Sequence, residues 1–127
     1  MFEKLKIIIL NKEPVAHISQ KQIVRIVRKD FGNRQHTRIL RTLSKYKSET
    51  DRDNYRVWAA ILKLSGSRIQ KLESNVKKAR FDFRDIITAA EYPEYSQCAL
   101  SRISYFTRKR IFLRDWTQYR KWLSSYK

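Results

Sequence analysis

The sequence predicts an all-α, single-domain protein of about six helices spanning residues 1–127. Three observations carry that expectation. Two Ser-x-x-Gln capping boxes, Ser19/Gln22 and Ser67/Gln70, each stand just before an apolar-periodic run; in such a box the serine oxygen and the glutamine side chain satisfy two backbone N–H groups that a helix start leaves unpaired. Apolar residues recur three and four apart, the period of a helix with one buried face. Only 2 Gly and 2 Pro occur in 127 residues, too little turn chemistry for a many-stranded β fold, while the abundant Lys, Arg, Leu, Ile and Ala favour helices. The 42% hydrophobic and 13% aromatic content supplies a modest core and argues against wholesale disorder.

Taken in order, residues 2–10 form a short helix or strand docked on the core, its type left open by an ambiguous period. The run Ile7–Leu10 is too short to span a membrane, and no small-residue cleavage site follows it as in a signal peptide. After a loop at Asn11–Pro14, Ser19 opens a helix with Ile23, Val24, Ile26, Val27 and Phe31 inward, ended by the turn Gly32-Asn33. A second helix runs from about Arg34 to Tyr46 with Ile39, Leu40 and Leu43 inward, and residues 47–53 connect it to the next. There, Asp53 and Asn54 are the expected caps of a helix carrying Val57, Trp58, Ile61, Leu62 and Leu64, with Trp58 as a buried anchor. Ser65-Gly66 ends it, because glycine tolerates the left-handed backbone of a C-terminal cap.

Ser67 is then expected to cap a helix with Ile69, Leu72, Val76 and Ala79 on one stripe and Lys71, Glu73, Lys77 and Lys78 outside. Asp82 starts another, burying Phe83, Ile86, Ile87 and Ala90 and stopping at Tyr92, since Pro93 crowds the residue before it. Residues 96–126 read as one long helix or two broken ones. Leu100, Ile103, Phe106, Leu113, Trp116, Tyr119 and Leu123 form an apolar stripe that Arg108-Lys109-Arg110 interrupts.

The central segment also carries a resemblance. Arg56-Val57, Ala60 to Leu64, Gly66, Leu72, Val76, Ala79, Asp82, Arg84-Asp85 and Ala90-Glu91-Tyr92-Pro93 resemble a family of small uncharacterised bacterial helical proteins. The likeness covers about a third of the chain, and the Arg-Asp pair and AEYP are its most specific pieces. It implies a bacterial, cytoplasmic setting and no known activity. The basic flanks lie outside it.

Charge is the most informative functional feature. The formal net charge is +17, and it is segregated. Residues 20–47 hold nine bases and one acid (+8), and residues 97–127 hold eight bases and one acid (+7). Residues 48–96 are nearly balanced, at nine bases and eight acids. Such density costs self-repulsion, so it points to an acidic partner. Nucleic acid is the expected one, bound through basic helix faces. Arg34, Arg38, Arg41 and Lys45 fall three or four apart and so line one helix face, matching phosphates along a backbone. Asn33 and Gln35, near that helix start, are placed to meet base edges, and the helix pair joined at Gly32 loosely resembles a helix-turn-helix. In the C-terminal segment Arg108, Lys109 and Arg110 lie among aromatic residues, a mixture suited to single strands, although Trp116, Tyr119 and Leu123 at helical spacing are expected to pack inside.

Other classes fit less well. Asp82, Asp85, Glu91 and Glu94 would supply paired carboxylates, but Asp82 is accounted for as a cap, Asp85 as its first-turn partner and Glu91 as the mate of Arg84 or a lysine. No phosphate-cradling glycine loop, two-histidine metal spacing or nucleophile elbow is present. The expectation is therefore a non-catalytic protein without cofactor or metal. Cys98 is a small helix residue with neither His17 nor His36 (the latter on an exposed basic turn) beside it in sequence. The alternative is a structural or protein-interaction adaptor, whose basic faces dock on an acidic protein or an anionic membrane surface.

Overall fold

A computed structural model describes residues 17–98 and 104–126; the expected element at 2–10, and Leu100 and Ile103 of the C-terminal stripe, lie outside them. The fold is all-α, with seven helices and no strand among the described residues. They are α1 (Gln20–Phe31), α2 (His36–Leu43), α3 (Asp51–Ser65), α4 (Ile69–Phe81), α5 (Phe83–Glu91), α6 (Pro93–Cys98) and α7 (Tyr105–Ser124). A 3-10 turn, Asn33–Gln35, leads into α2.

Helix α3 is the centre. Val57 and the four successive residues Ala59 to Leu62 are buried, with the half-buried Trp58 between, so neighbours cover it on more than one side. It packs against α4, α5 and α1, while α2 bridges α1 and α4, and α7 closes over α5 and α6. One buried cluster results: Ile23, Ile26 and Val27 of α1, Ile39 and Leu43 of α2, Leu72 and Val76 of α4, Ile86 and Ala90 of α5, and Phe112, Trp116 and Tyr119 of α7 all belong to it. The α3–α4 joint is tied by Asn75 Nδ2, which donates to Ser65 Oγ at 3.0 Å, while Ser65 Oγ donates to Ile61 O.

Several expected stops and starts are present. The Ser19/Gln22 box is formed in both directions, at 2.9 and 3.3 Å. Gly32 (φ 84°) and Gly66 (φ 58°) hold the left-handed conformations that end α1 and α3. Asp82 caps α5 by accepting the Arg84 N–H at 3.0 Å. Helix α5 stops at Tyr92, and Pro93 opens α6 as its first residue, where a missing N–H costs nothing.

Other expectations are corrected. The cap of α3 is Thr50, not Asp53 or Asn54: its Oγ1 accepts the Asp53 N–H at 3.2 Å and donates to the Asp53 carboxylate at 2.9 Å, so the helix begins inside the supposed loop. The Ser67/Gln70 box does not form, because Ser67 belongs to the turn after Gly66 and the extended residue Arg68 takes the cap position without a side-chain bond. Trp58 is half-buried rather than a buried anchor; it stands at the rim, its indole N–H held by Tyr46 O at 3.1 Å. Phe83 and Phe106, both expected inside, are 42% and 79% exposed. Each lies in the first turn of its helix, where no neighbouring helix among the described residues covers the stripe; Phe112 fills the α7 stripe in place of Phe106. Of the two alternatives for the C-terminal region, one long helix or two, the described residues form two, α6 and α7, with Ser104 capping the second through the Thr107 N–H.

Candidate nucleic-acid interface

The two basic segments meet where the C-terminal ends of α1 and α7 touch. Lys29 Nζ donates to Ser125 O at 3.2 Å and sits 5.2 Å from the centre of the Tyr126 ring, while the Tyr126 hydroxyl donates to the Asp30 carboxylate at 2.9–3.0 Å. Burial, joined by the Asp30 hydrogen bond and charge, pushes the Tyr126 hydroxyl up to about 12, so it stays a neutral donor at physiological pH. The Asp30 carboxyl is raised, first by burial, against the lowering effects of Tyr126 and Lys29. Lys29 also complements the negative end of α7, where Lys121 O, Trp122 O and Leu123 O accept from Ser124, Ser125 and Tyr126.

Around this junction the basic side chains are exposed: Arg25, Arg28 and Lys29 on α1, Arg120 and Lys121 on α7. The expected row lies beyond the Gly32 turn that ends α1 and runs from the 3-10 turn along α2. Arg34, Arg38, Arg41 and Lys45 are all exposed, although Arg34 belongs to the 3-10 turn and Lys45 to the turn after α2. Arg38 lies 4.0 Å from Glu73 of α4, both side chains more than half exposed, a pairing too loose and wet to withhold it from a phosphate.

The remaining candidates are placed differently. Asn33 is exposed, but Gln35 is half-buried, with its side-chain oxygen enclosed and without a hydrogen-bond partner among the described residues. His36 is likewise half-buried rather than on an exposed turn. Arg108, Lys109 and Arg110 stand at the start of α7, about 25 Å from Ser125 at 1.5 Å of rise per residue, and so form a separate patch. Arg110 is exposed, whereas Arg108 is half-buried and Lys109 rests 5.5 Å and 5.9 Å from the Tyr105 and Phe112 ring centres. The eight candidates thus divide into a row of four along α2, the half-buried Gln35 and a triplet near the start of α7.

A second constellation is a closed polar cluster beneath α7. Glu91, fully buried, accepts two hydrogen bonds from Arg56, Nε to Oε2 at 3.0 Å and Nη2 to Oε1 at 2.9 Å. Its partner is therefore Arg56, not Arg84 or a lysine. Lys63 donates to Ala90 O and lies 5.3 Å from the centre of the Tyr119 ring. Asp115, 1% exposed, accepts the Tyr95 N–H at 2.8 Å. The four carboxylates weighed for catalysis do not converge: Asp82 caps α5, Asp85 is exposed, Glu91 binds Arg56, and Glu94 lies 3.4 Å from Arg114 at the surface. Among the described residues, no three His, Cys, Asp or Glu side chains gather to hold a metal ion.

Burial raises the Asp115 carboxyl above its ordinary range, the Tyr95 N–H only partly opposing it. A carboxyl with a raised folded pKa binds its proton more tightly in the fold than in the unfolded chain. Stability therefore falls as pH rises from about 4, where the unfolded carboxyl titrates, to the raised folded value, and is level above it. Asp115→Asn keeps an acceptor for Tyr95 and carries no charge. Its stability relative to the wild type is expected to improve across that window, read from urea midpoints at pH 4 and pH 7; a pH-independent difference would contradict the assignment.

The structure also shows residues that sequence reasoning missed. Phe81 is 92% exposed, and with Phe83 and the exposed Arg80 and Arg84 it makes an aromatic-basic corner between α4 and α5. The signal was present as Arg80-Phe81-Asp82-Phe83-Arg84, but the near-balance of residues 48–96 concealed it. Comparison with family models, with curated proteins and with solved structures found no match. The fold and the surface together define a strongly basic all-α protein with no described helix long and apolar enough to cross a membrane.

Proposed function

We propose that this protein binds nucleic acid without catalysis, through the basic faces of α1 and α2 and the end of α7. The observation that supports it most is the α1–α7 junction: Lys29–Ser125 and Tyr126–Asp30 tie the end of α7, with its exposed Arg120 and Lys121, to α1, with its exposed Arg25, Arg28 and Lys29. Side chains of one sign spread over such a surface suit phosphates at backbone spacing and carry little sequence information. The enclosed oxygen of Gln35 withdraws one of the two polar groups expected to meet base edges, and weak sequence preference belongs to the same reading. A bacterial, cytoplasmic setting is part of the proposal and rests on the resemblance of residues 56–93.

Competition at equal charge tests it. A labelled mixed-sequence oligonucleotide bound to the protein is challenged with unlabelled nucleic acid or with phosphatidylserine vesicles. Displacement by nucleic acid at several-fold lower charge is expected. Equal displacement would reduce the surface to a general anion binder, and no binding near 50 mM salt, where phosphate contacts are favoured, would leave the adaptor role.

A further inference from the structure

Phe81 ends α4 and Phe83 begins α5, with the single residue Asp82 between them. That residue is fixed: its N–H donates to Lys78 O at 2.8 Å and its carboxylate accepts the Arg84 N–H at 3.0 Å. Both rings are therefore carried on held helix ends, not on a loop, yet they are 92% and 42% exposed and add little to the core. Two grooves of about 790 and 650 Å³ lie beside Phe81, each within the size range of a small-molecule site; Phe83 borders the second.

The chemistry around the rings is mixed in charge: Lys71, Lys77 and Lys78 line the 790 Å³ groove with Asp85, and Lys47, Arg80 and Arg84 line the 650 Å³ groove with Glu49, Asp53 and Asp82. Arg80 and Arg84 flank them in sequence, with the Arg84 guanidinium 6.0 Å from the Phe83 ring centre, and Lys77 and Lys78 are exposed on the preceding turn of α4. Asp82 is turned toward Arg84, its Oδ1 3.7 Å from the guanidinium, and Asp53 accepts the Thr50 hydroxyl at 2.9 Å. Lys47, the last base of the 20–47 segment and two residues after Lys45, lines the 650 Å³ groove. An exposed ring between arginines offers a π-face to a base and charge to its phosphates, whereas bases inside a duplex keep their faces stacked on one another.

We propose that the Phe81–Phe83 corner is a base-stacking platform for unpaired nucleotides of a single strand, with Arg80, Arg84 and Lys47 holding the adjoining phosphates. It rests on the nucleic-acid reading above and adds the form of nucleic acid that the protein prefers.

The test compares a mixed-sequence single strand with its duplex by fluorescence anisotropy at one salt concentration. Phe81→Ala/Phe83→Ala is expected to bind the single strand about 10- to 100-fold more weakly, to bind the duplex within about twofold of the wild type, and to keep the wild-type salt slope. Phe81→Trp is expected to retain binding, and thermal melts to show the exposed replacements still folded. Equal losses on both nucleic acids would overturn the platform. Unchanged affinity for both would overturn it too and make the corner a protein contact. Wild-type binding insensitive to these rings sinks only the platform; a wild type that binds neither form sinks the nucleic-acid reading with it.

Discussion

Arg56→Ala is expected to destabilise the fold by about 4–5 kcal/mol, the upper part of the range for breaking a buried ion pair. The size follows from asymmetry. Glu91 is 0% exposed and Arg56 22%, so removing the arginine strands a carboxylate that water cannot reach. Glu91→Ala leaves a guanidinium that can turn toward solvent, and about 3 kcal/mol is expected there. Arg56→Lys should recover little, because one ammonium cannot reproduce the two parallel bonds at 3.0 and 2.9 Å. The double replacement Arg56→Met/Glu91→Leu, apolar on both sides, should lie within about 2 kcal/mol of the wild type. Urea midpoints at constant m check all four. A loss below about 1 kcal/mol for Arg56→Ala would mean that the pair behaves as a surface one.

That pair also shows where sequence reasoning stops. A capping bond reaches three residues and a glycine stop acts at one, so Ser19/Gln22, Gly32, Gly66, Asp82 and Tyr92-Pro93 could be read directly. Arg56 and Glu91 are separated by 35 residues, and only the packing of α5 on α3 brings them together. Periodicity likewise places a ring on a stripe without showing whether a neighbouring helix extends far enough to cover it. That is why Ile86 and Tyr119 are buried as expected, while Phe83 and Phe106 are exposed. Asp115 is the reverse case: a charge in the middle of the α7 stripe, buried because the Tyr95 N–H of the neighbouring helix meets it. Thr50-x-x-Asp53 has the form of a capping box, but a polar stretch on either side hid it. At the candidate interface, the α2 row and the charge of both flanks were legible from spacing and counting. Their junction was not, since Lys29–Ser125 and Asp30–Tyr126 each span 96 residues.

The other large effect expected is on binding. With six to ten phosphates engaged, wild-type affinity should fall about 10³- to 10⁵-fold between 50 and 200 mM salt. Arg34→Glu/Arg38→Glu/Arg41→Glu removes three contacts from the α2 row on the side opposite the buried Ile39 and Leu43, so the fold should persist. Affinity should drop alike on unrelated sequences, as it does when phosphate contacts and not base contacts are lost. The decisive measurement is the slope of log affinity against log salt for the wild type and this variant. A slope about three units shallower in the variant is expected, close to one per lost contact. An unchanged slope, or a wild-type slope near zero, would contradict phosphate binding by these helices.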